Sequence, residues 1–237
     1  MAAVVDTPEV DKIYTEKDWN EISSVHKNPY YYSKVCAEKA AWEFMEQVEQ
    51  EEGKDFLEMV TILPSTVIGE SILSCHVSVS HEMVKKITEF PALVALTFEF
   101  IHVKDVARAH VLSMESKTLT CHPSKRERFL ICGETVTLRQ VIEFMREHFK
   151  AKSDKKWFKK MPTLSLEGSF GSGLIKVVAA LFESKDVIQY LNSNIGKPLY
   201  FDTSKAKKEL GMDFKDWKSQ IVETIEFLIK HGYIKDE

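Results

Sequence analysis

The sequence has no surplus of positive charge. Among its 237 residues, 32 are Lys or Arg and 36 are Asp or Glu, which gives a net charge of -4 at pH 7. Proteins that bind nucleic acid concentrate positive charge on one face, so we expect no nucleic-acid partner. The chain also has no apolar run near the roughly 20 residues that span a bilayer, and its amino terminus lacks the basic and apolar regions of a secretory signal. We therefore expect neither membrane insertion nor secretion.

Cysteine is scarce and widely spaced. The four cysteines form no CxxC pair, which argues against a disulfide framework and favours reduced thiols. They are Cys36, Cys75, Cys121 and Cys132. Reduced thiols are typical of a cytoplasmic protein, and we predict that localisation.

Two groups of polar residues have the chemistry of a site but not its spacing. The pairs Cys75-His76 and Cys121-His122, with His81, match no zinc pattern, so no metal site is predicted. His102, Asp105 and His110 supply parts of a triad, but no serine or cysteine stands in a nucleophile turn.

Glycine is also sparse, with nine residues, and none of them forms GxxGxxG. In that motif, glycines let the backbone close on a dinucleotide pyrophosphate at a helix amino terminus. The nearest approach, from Gly168 to Gly173, has the wrong order of spacings and is predicted to be a flexible loop. The whole segment 150–173 has clustered lysines and helix breakers, which predicts a loop-rich region.

The remaining sequence alternates amphipathic and short apolar segments, as in α/β proteins. Apolar residues recur three and four positions apart in 32–51, which predicts a long helix with one buried face. Strands buried on both faces are predicted at 56–64 and 128–132, with a brief strand at 98–103. Further helices are predicted at 80–88, 104–115, 138–149, 174–182, 186–191, 203–210 and 217–231.

Tyr30 and Lys34 are the residues with the clearest chemistry. They lie four positions apart at the start of the long helix, so both side chains share one face. A phenol is a poor acid-base catalyst at neutral pH unless a nearby cation stabilises the phenolate, and Lys34 can supply that cation. This spacing suits proton transfer to or from a carbonyl oxygen, with Tyr30 as the acid/base. The spacing selects Tyr30 from three consecutive tyrosines.

Four segments, in order, carry a resemblance to a known family: NPYYYSKVCAEKAAWEF, ILPSTVIGE, FEFIHVKDVARAHVLSME and FDTSKAKKELGMDF. They resemble extended short-chain dehydrogenases/reductases of the NAD-dependent epimerase/dehydratase superfamily. The similarity is to the branch of dihydroflavonol reductases, cinnamoyl-CoA reductases and aldehyde reductases. The resemblance implies an α/β fold, namely the carboxyl-terminal part of a Rossmann-type doubly wound parallel sheet with a small, mostly helical substrate lobe.

The resemblance also implies roles for individual residues. Tyr30 and Lys34 would act in catalysis and contact the cofactor, while Pro64 and Val67 would approach the nicotinamide through backbone groups. Ser80, or Ser78 in a second alignment, would reach the pyrophosphate. The implied cofactor is NADP, with NAD as the other choice. The implied substrate is a small-molecule carbonyl compound or alcohol.

Family members place GxxGxxG and a catalytic Ser or Thr before the position that matches Met1. We therefore expect the chain to begin inside the fold, with on the order of a hundred residues missing, and to have little or no activity alone. Residues 1–150 are expected to be the rest of the NAD(P)-binding domain, and residues 151–237 mainly the substrate lobe. Two alternatives stay open: a non-catalytic binding or regulatory module, and a 3β-hydroxysteroid dehydrogenase or sugar-nucleotide epimerase/dehydratase.

Overall fold

Helices alternate with short strands along the chain. The computed structural model describes residues 1–53, 56–119, 125–182 and 185–235, so Cys121 and His122 lie outside the described residues. The strands are β1 (Ile13–Tyr14), β2 (Thr61–Pro64), β3 (Thr66–Ile68), β4 (Thr97–His102), β5 (Arg128–Ile131), β6 (Thr135–Thr137) and β7 (Tyr200–Phe201). The helices are α1 (Pro29–Glu52), α2 (Val79–Glu89), α3 (Val103–Glu115), α4 (Leu138–His148), α5 (Lys156–Lys160), α6 (Ser169–Phe182), α7 (Lys185–Asn194), α8 (Ser204–Glu209) and α9 (Trp217–Lys230).

Most strand pairs are parallel and join segments that are distant in sequence. β2 pairs with β5, and β1 pairs with β7, both in parallel. β4 lies in the middle of a three-stranded sheet, parallel to β3 and antiparallel to β6. Parallel strands need crossover connections, which the helices supply. The predicted α/β class is confirmed.

The largest apolar cluster lies between the β3-β4-β6 sheet and helices α2, α4 and α9. Phe98 and Phe100 of β4 stack with 5.5 Å between their ring centroids and face this cluster. α9 adds Ile221, Ile225 and Leu228, each fully buried. These helices therefore fix one face of the sheet, and the opposite face is shared by α3 and the cleft described below.

α1 is held by a buried ion pair. Four side chains on one face of α1, three or four positions apart, are buried: Val35, Glu38, Trp42 and Met45. The carboxylate of Glu38 accepts hydrogen bonds from Arg128: Oε1 from Nε at 2.7 Å, and Oε2 from Nη2 at 3.1 Å. Because Arg128 begins β5, the pair connects α1 with the β2-β5 sheet.

Several sequence predictions are wrong in detail. The strand predicted at 56–64 is restricted to β2, whose residues are mostly half-buried rather than covered on both faces. The strands β1, β3, β6 and β7 were not predicted, because two or three residues are too short to show a period. Segment 150–173 is only partly a loop: residues 153–155 and 161–168 lie outside helices, but the rest forms a short 3-10 helix (Lys150–Lys152), α5 and the start of α6.

Gly171 lies within α6, and a close backbone contact explains the glycine at this position. A Cβ atom at Gly171 would lie 2.5 Å from the carbonyl oxygen of Leu166. Glycine is therefore required there by a close approach of two backbone segments within the first turns of α6, and not by chain flexibility. Within the described ranges, no helix is both long and apolar enough to cross a membrane.

Candidate functional site

A cleft of about 700 Å³ lies between the amino-terminal half of α1, the β2-β3 segment, the start of α2 and one face of β4. All five residues singled out in the sequence line it: Tyr30, Lys34, Pro64, Val67 and Ser80. A second cleft, of about 790 Å³, lies near β7 and the start of α9 and contains none of them. The structure thus brings together residues that are up to fifty positions apart.

α1 positions the first two residues. The chain enters α1 through Asn28 in a left-handed conformation (φ 53°), and Asn28 Nδ2 donates to Asp6 Oδ1 at 2.5 Å. Pro29 then starts the helix, where its fixed φ and missing N–H are tolerated. Tyr30 is 64% exposed, and Lys34 Nζ lies 5.3 Å from the centroid of its ring. Both side chains therefore share one face, as their spacing predicts.

Tyr31 is the second tyrosine of the cleft. Its ring meets that of Tyr30 edge to face, with 6.0 Å between centroids. Burial, followed by the negative charges of Asp6 and Glu99, raises the pKa of Tyr31 to about 12. A phenol with a raised pKa is harder to ionise, so Tyr31 is less suited to proton transfer near neutral pH. Tyr32 does not line the cleft.

The β2-β3 segment forms the wall opposite α1. Pro64 ends β2 beside Ile131, and its carbonyl oxygen accepts from the amino group of Met1 at 3.2 Å. Val67 pairs with Ile101 of β4. Because β3 has β4 on one side only within the described part of the chain, the other edge of its backbone is open to further contacts.

Gly69 and the start of α2 complete the frame. Gly69 has a φ of +123°, and a Cβ there would lie 2.8 Å from His102 Nε2, so only glycine fits this turn. Ser78 caps α2: its Oγ accepts from the backbone N–H of His81 at 3.4 Å, while His81 Nε2 contacts the Gly69 carbonyl oxygen at 2.7 Å. Ser80 is half-buried and lines the cleft. The geometry thus favours Ser80 over Ser78 for ligand contact.

Glu99 is a residue of the cleft that sequence reasoning missed. It is 6% exposed, and burial raises its pKa to about 7. Its Oε1 atom is buried with no hydrogen-bond partner within the described part of the chain. One signal was available: Glu99 is the only acidic residue in the otherwise largely apolar strand TFEFIH.

The residues considered for a triad do not meet. His102 Nε2 lies 2.8 Å from Glu223 Oε2, and Asp105 Oδ2 accepts from the backbone of Lys215 at 2.9 Å. His110 Nδ1 contacts its own helix at Val106. Among the described residues, no group of three His, Cys, Asp or Glu side chains is arranged to hold a metal ion, and Cys36, Cys75 and Cys132 are free thiols.

Comparisons with known proteins agree on a family. The model of the "NAD dependent epimerase/dehydratase family" matches residues 7–124, about half of the chain. The NADPH-dependent methylglyoxal reductase GRE2 of Saccharomyces cerevisiae is 27% identical over 97% of this chain and 61% of its own length. Cinnamoyl-CoA reductase 1 of Arabidopsis thaliana is 25% identical over 94% of this chain and 53% of its own. Dihydroflavonol 4-reductase of the same plant is 26% identical over 62% of this chain and 37% of its own length.

Solved structures show the same fold. The crystal structure of yeast methylglyoxal/isovaleraldehyde reductase Gre2 complexed with NADPH matches with a TM-score of 0.70 and 24% identity, over 98% of this chain and 63% of that one. Vestitone reductase from alfalfa matches with a TM-score of 0.64 and 19% identity, over 98% of this chain and 63% of that one. These matches confirm the predicted Rossmann-type fold. The chain spans between 37% and 61% of the length of the three curated reductases named above. It belongs to the NAD-dependent epimerase/dehydratase family, and its relatives there are dihydroflavonol, cinnamoyl-CoA and methylglyoxal reductases.

Proposed function

We propose that this chain carries the proton-transfer centre of an NAD(P)H-dependent reductase that acts on an aldehyde or ketone, or on the alcohol in reverse. The observation that carries the proposal is the convergence of Tyr30, Lys34, Pro64, Val67 and Ser80 on one cleft. A chance pair of tyrosine and lysine on a helix would not require the β2-β3 segment and the start of α2 to face it. The reductases among its relatives support the same reaction class.

Tyr30 is the proton donor in reduction and the acceptor in oxidation. Its side chain is largely exposed in the cleft, where a substrate oxygen can reach the hydroxyl group. Lys34 lies beside the Tyr30 ring, and its positive charge favours the ionised phenol that forms when the proton leaves. The two residues thus form an acid/base pair in which only Tyr30 exchanges a proton with substrate.

The residues of the cleft fit the nicotinamide half of a dinucleotide. Lys34 and Ser80 offer an ammonium and a hydroxyl group to ribose and phosphate oxygens, and the open edge of β3 offers backbone groups near Pro64 and Val67. The cofactor supplies the hydride. We assign NADP first and NAD second, because GRE2 is named as NADPH-dependent and the Gre2 crystal structure contains NADPH. In this proposal, residues 151–237 mainly form the substrate lobe.

A matched pair of tyrosine variants tests the proposal. NADPH oxidation by the full chain is followed with a panel of aldehydes and ketones, under single-turnover conditions so that slow reactions are visible. Y30F should reduce the rate by about 10²–10⁴-fold, the usual contribution of general acid catalysis. Y32F removes a hydroxyl group from the same helix outside the cleft, and should change the rate by less than about twofold. Reduction that survives in Y30F would contradict the proposal.

A non-catalytic binding module is the second candidate, and one observation favours it. The sequence has no GxxGxxG motif, so it lacks the turn that holds the cofactor pyrophosphate in this family. A titration with NADPH, followed by fluorescence, separates the two candidates. Micromolar affinity together with Tyr30-dependent hydride transfer would exclude the non-catalytic module, whereas no binding at millimolar NADPH would support it.

A further inference from the structure

A buried carboxyl group with one unpartnered oxygen atom lies in the wall of the cleft. Glu99 is 6% exposed, and its Oε1 atom makes no hydrogen bond within the described part of the chain. Leaving a buried acceptor without a donor destabilises the fold, and more so when the group is charged. Such groups are rare in native structures, and each one calls for an explanation, such as a functional role or a bound water or ion.

The surroundings of Glu99 leave this carboxyl group without a compensating cation. β4 places it on the sheet face opposite Phe98 and Phe100, with Thr135 of β6 beside it in the ladder. The groups that interact with it electrostatically are Tyr31 and Cys132, both neutral near pH 7 because burial raises each pKa to about 12. Thr97 and the backbone N–H of Glu99 itself supply hydrogen bonds to the side chain. None of these groups is a cation.

We propose that Glu99 is a specificity-determining residue, which accepts a hydrogen bond from a hydroxyl group of the substrate at a position away from its reacting carbonyl. The inference rests on the proposed reductase function, because Glu99 and Tyr30 line the same cleft. The preferred substrates are therefore hydroxylated carbonyl compounds. Purely hydrocarbon aldehydes and ketones bind less tightly.

A hydroxyl group fits this position better than an ammonium group. Lys34 already places one positive charge in the cleft, and a second cation would be repelled by it. Burial also raises the pKa of Glu99 to about 7, so the carboxyl group is only partly ionised at neutral pH. A partly protonated carboxyl group can accept from a hydroxyl group or donate to it, whereas an ammonium group needs the ionised form.

Three ketones of the same shape test the proposal without any turnover. Para-(hydroxymethyl)acetophenone, para-methylacetophenone and para-(aminomethyl)acetophenone are titrated against the full chain, and affinity is measured by ligand-observed NMR. The hydroxymethyl ketone should bind about tenfold tighter than the methyl ketone, the usual effect of satisfying a buried acceptor. E99L should bind the two within about twofold of each other. E99Q should keep most of the preference, because its amide oxygen still accepts a hydrogen bond.

The controls separate loss of the acceptor from loss of the fold. E99L replaces a buried carboxyl group, one oxygen of which has no partner, with an apolar side chain, so its thermal unfolding midpoint should not fall. E134L removes an exposed carboxylate on the rim of the other cleft and should leave the tenfold preference unchanged. Equal affinities for the hydroxymethyl and methyl ketones in the unaltered chain would overturn the inference, as would a preference that survives in E99L, or binding of none of the three.

A preference for the aminomethyl ketone that disappears in E99Q would also overturn the inference, since it would identify an ammonium partner. The proposed function fails by a different measurement, namely hydride transfer that survives in Y30F. The ketone affinities do not depend on that result.

Discussion

Glu99 has an energetic consequence apart from any ligand. Burial raises the pKa of this carboxyl group from 4.5 to about 7, so the folded chain holds a proton that the unfolded chain has lost between those pH values. Folding stability therefore falls as pH rises through this window. The fold favours the protonated carboxyl group of Glu99. Ionisation of this group lowers the free energy of unfolding, and other interactions in the structure must offset the loss.

E99Q should remove this pH dependence. The unfolding free energy of E99Q minus that of the unaltered chain should grow by about 3 kcal/mol between pH 4 and pH 8, since the pKa shift is about 2.5 units. Urea unfolding at a series of pH values measures the difference. E134Q, which removes an exposed carboxylate, is the matched control and should show no such trend.

The difference in unfolding free energy between E99Q and the unaltered chain is the quantity to measure, because a second group also titrates between pH 4 and pH 8. Burial lowers the pKa of the Met1 amino group to about 5, so this group makes stability rise with pH and opposes Glu99. Its contribution is common to both proteins and cancels. A difference that is flat with pH would show that Glu99 titrates near its ordinary value.

At the scale of elements, the Glu38 and Arg128 pair fixes α1. Besides its two contacts with Glu38, Arg128 donates through Nη1 to the carbonyl oxygens of Glu16 and Asp18 at 2.6 and 2.9 Å, and its guanidinium lies 3.9 Å from the centroid of the Trp19 ring. One side chain therefore connects β5, α1 and the loop before α1. Both members of the pair are buried, at 3% and 7% side-chain exposure.

R128M should destabilise the chain by about 3–5 kcal/mol, because it leaves the buried carboxylate of Glu38 with hydrogen bonds from Thr61 and Trp42 but without a cation. R126M is the matched control: Arg126 pairs with Glu46 at 3.2 Å, but both side chains are more than 40% exposed, and such pairs contribute about 0–1 kcal/mol. Urea unfolding of the two variants gives the comparison. Equal losses of unfolding free energy in R128M and R126M would show that burial does not make the Arg128 pair more stabilising than the exposed pair.

The sequence predicts the longer elements because each has its own period. α1, α2, α3, α4 and α9 begin and end within about three residues of prediction, since a strip of apolar residues marks each one. Contacts between distant residues leave no such local trace. Nothing in the sequence near Glu38 indicates Arg128, and the unpartnered Oε1 of Glu99 depends on residues that are distant in sequence.

The candidate site could be predicted only in part, because only some of its residues form a local pattern in the sequence. Tyr30 and Lys34 form a local pattern on one helix, and Pro64, Val67 and Ser80 came from resemblance to a family. Only the fold brings the two sets to one cleft. The cap of α2, where Ser78 is already engaged with His81, supports Ser80 as the ligand contact, which stays a prediction.

At the scale of the whole molecule, one apolar cluster joins the two parts of the chain that the sequence analysis separates at residue 150. Its buried members extend from Ile68 through Trp157 to Ile234. Removal of any large part of the cluster should therefore weaken the whole fold, and not one region alone. α9 is a suitable place to test this, because it contributes several fully buried side chains.

I225A should lower the unfolding free energy by about 2–5 kcal/mol, the usual cost of such a cavity. E226A, an exposed substitution on the same helix, should change it by less than about 0.5 kcal/mol. Unfolding is followed by far-UV circular dichroism and by the fluorescence of Trp19 and Trp42 in a W157F/W217F background. Coincident midpoints are expected for both probes. Separate midpoints would mean that the region around α1 unfolds independently of α9.

The pairing of β1 with β7 determines when β1 can fold during synthesis of the chain. Ile13 aligns with Tyr200, and Tyr14 with Phe201, so β1 has to wait for a partner that the ribosome produces about 190 residues later. At the usual rate of about 5–20 residues per second, that delay is roughly ten to forty seconds. During this time the early segment, including the tyrosines that follow it, is available to chaperones and proteases. Synthesis rate and chaperone supply should therefore influence the yield of this protein.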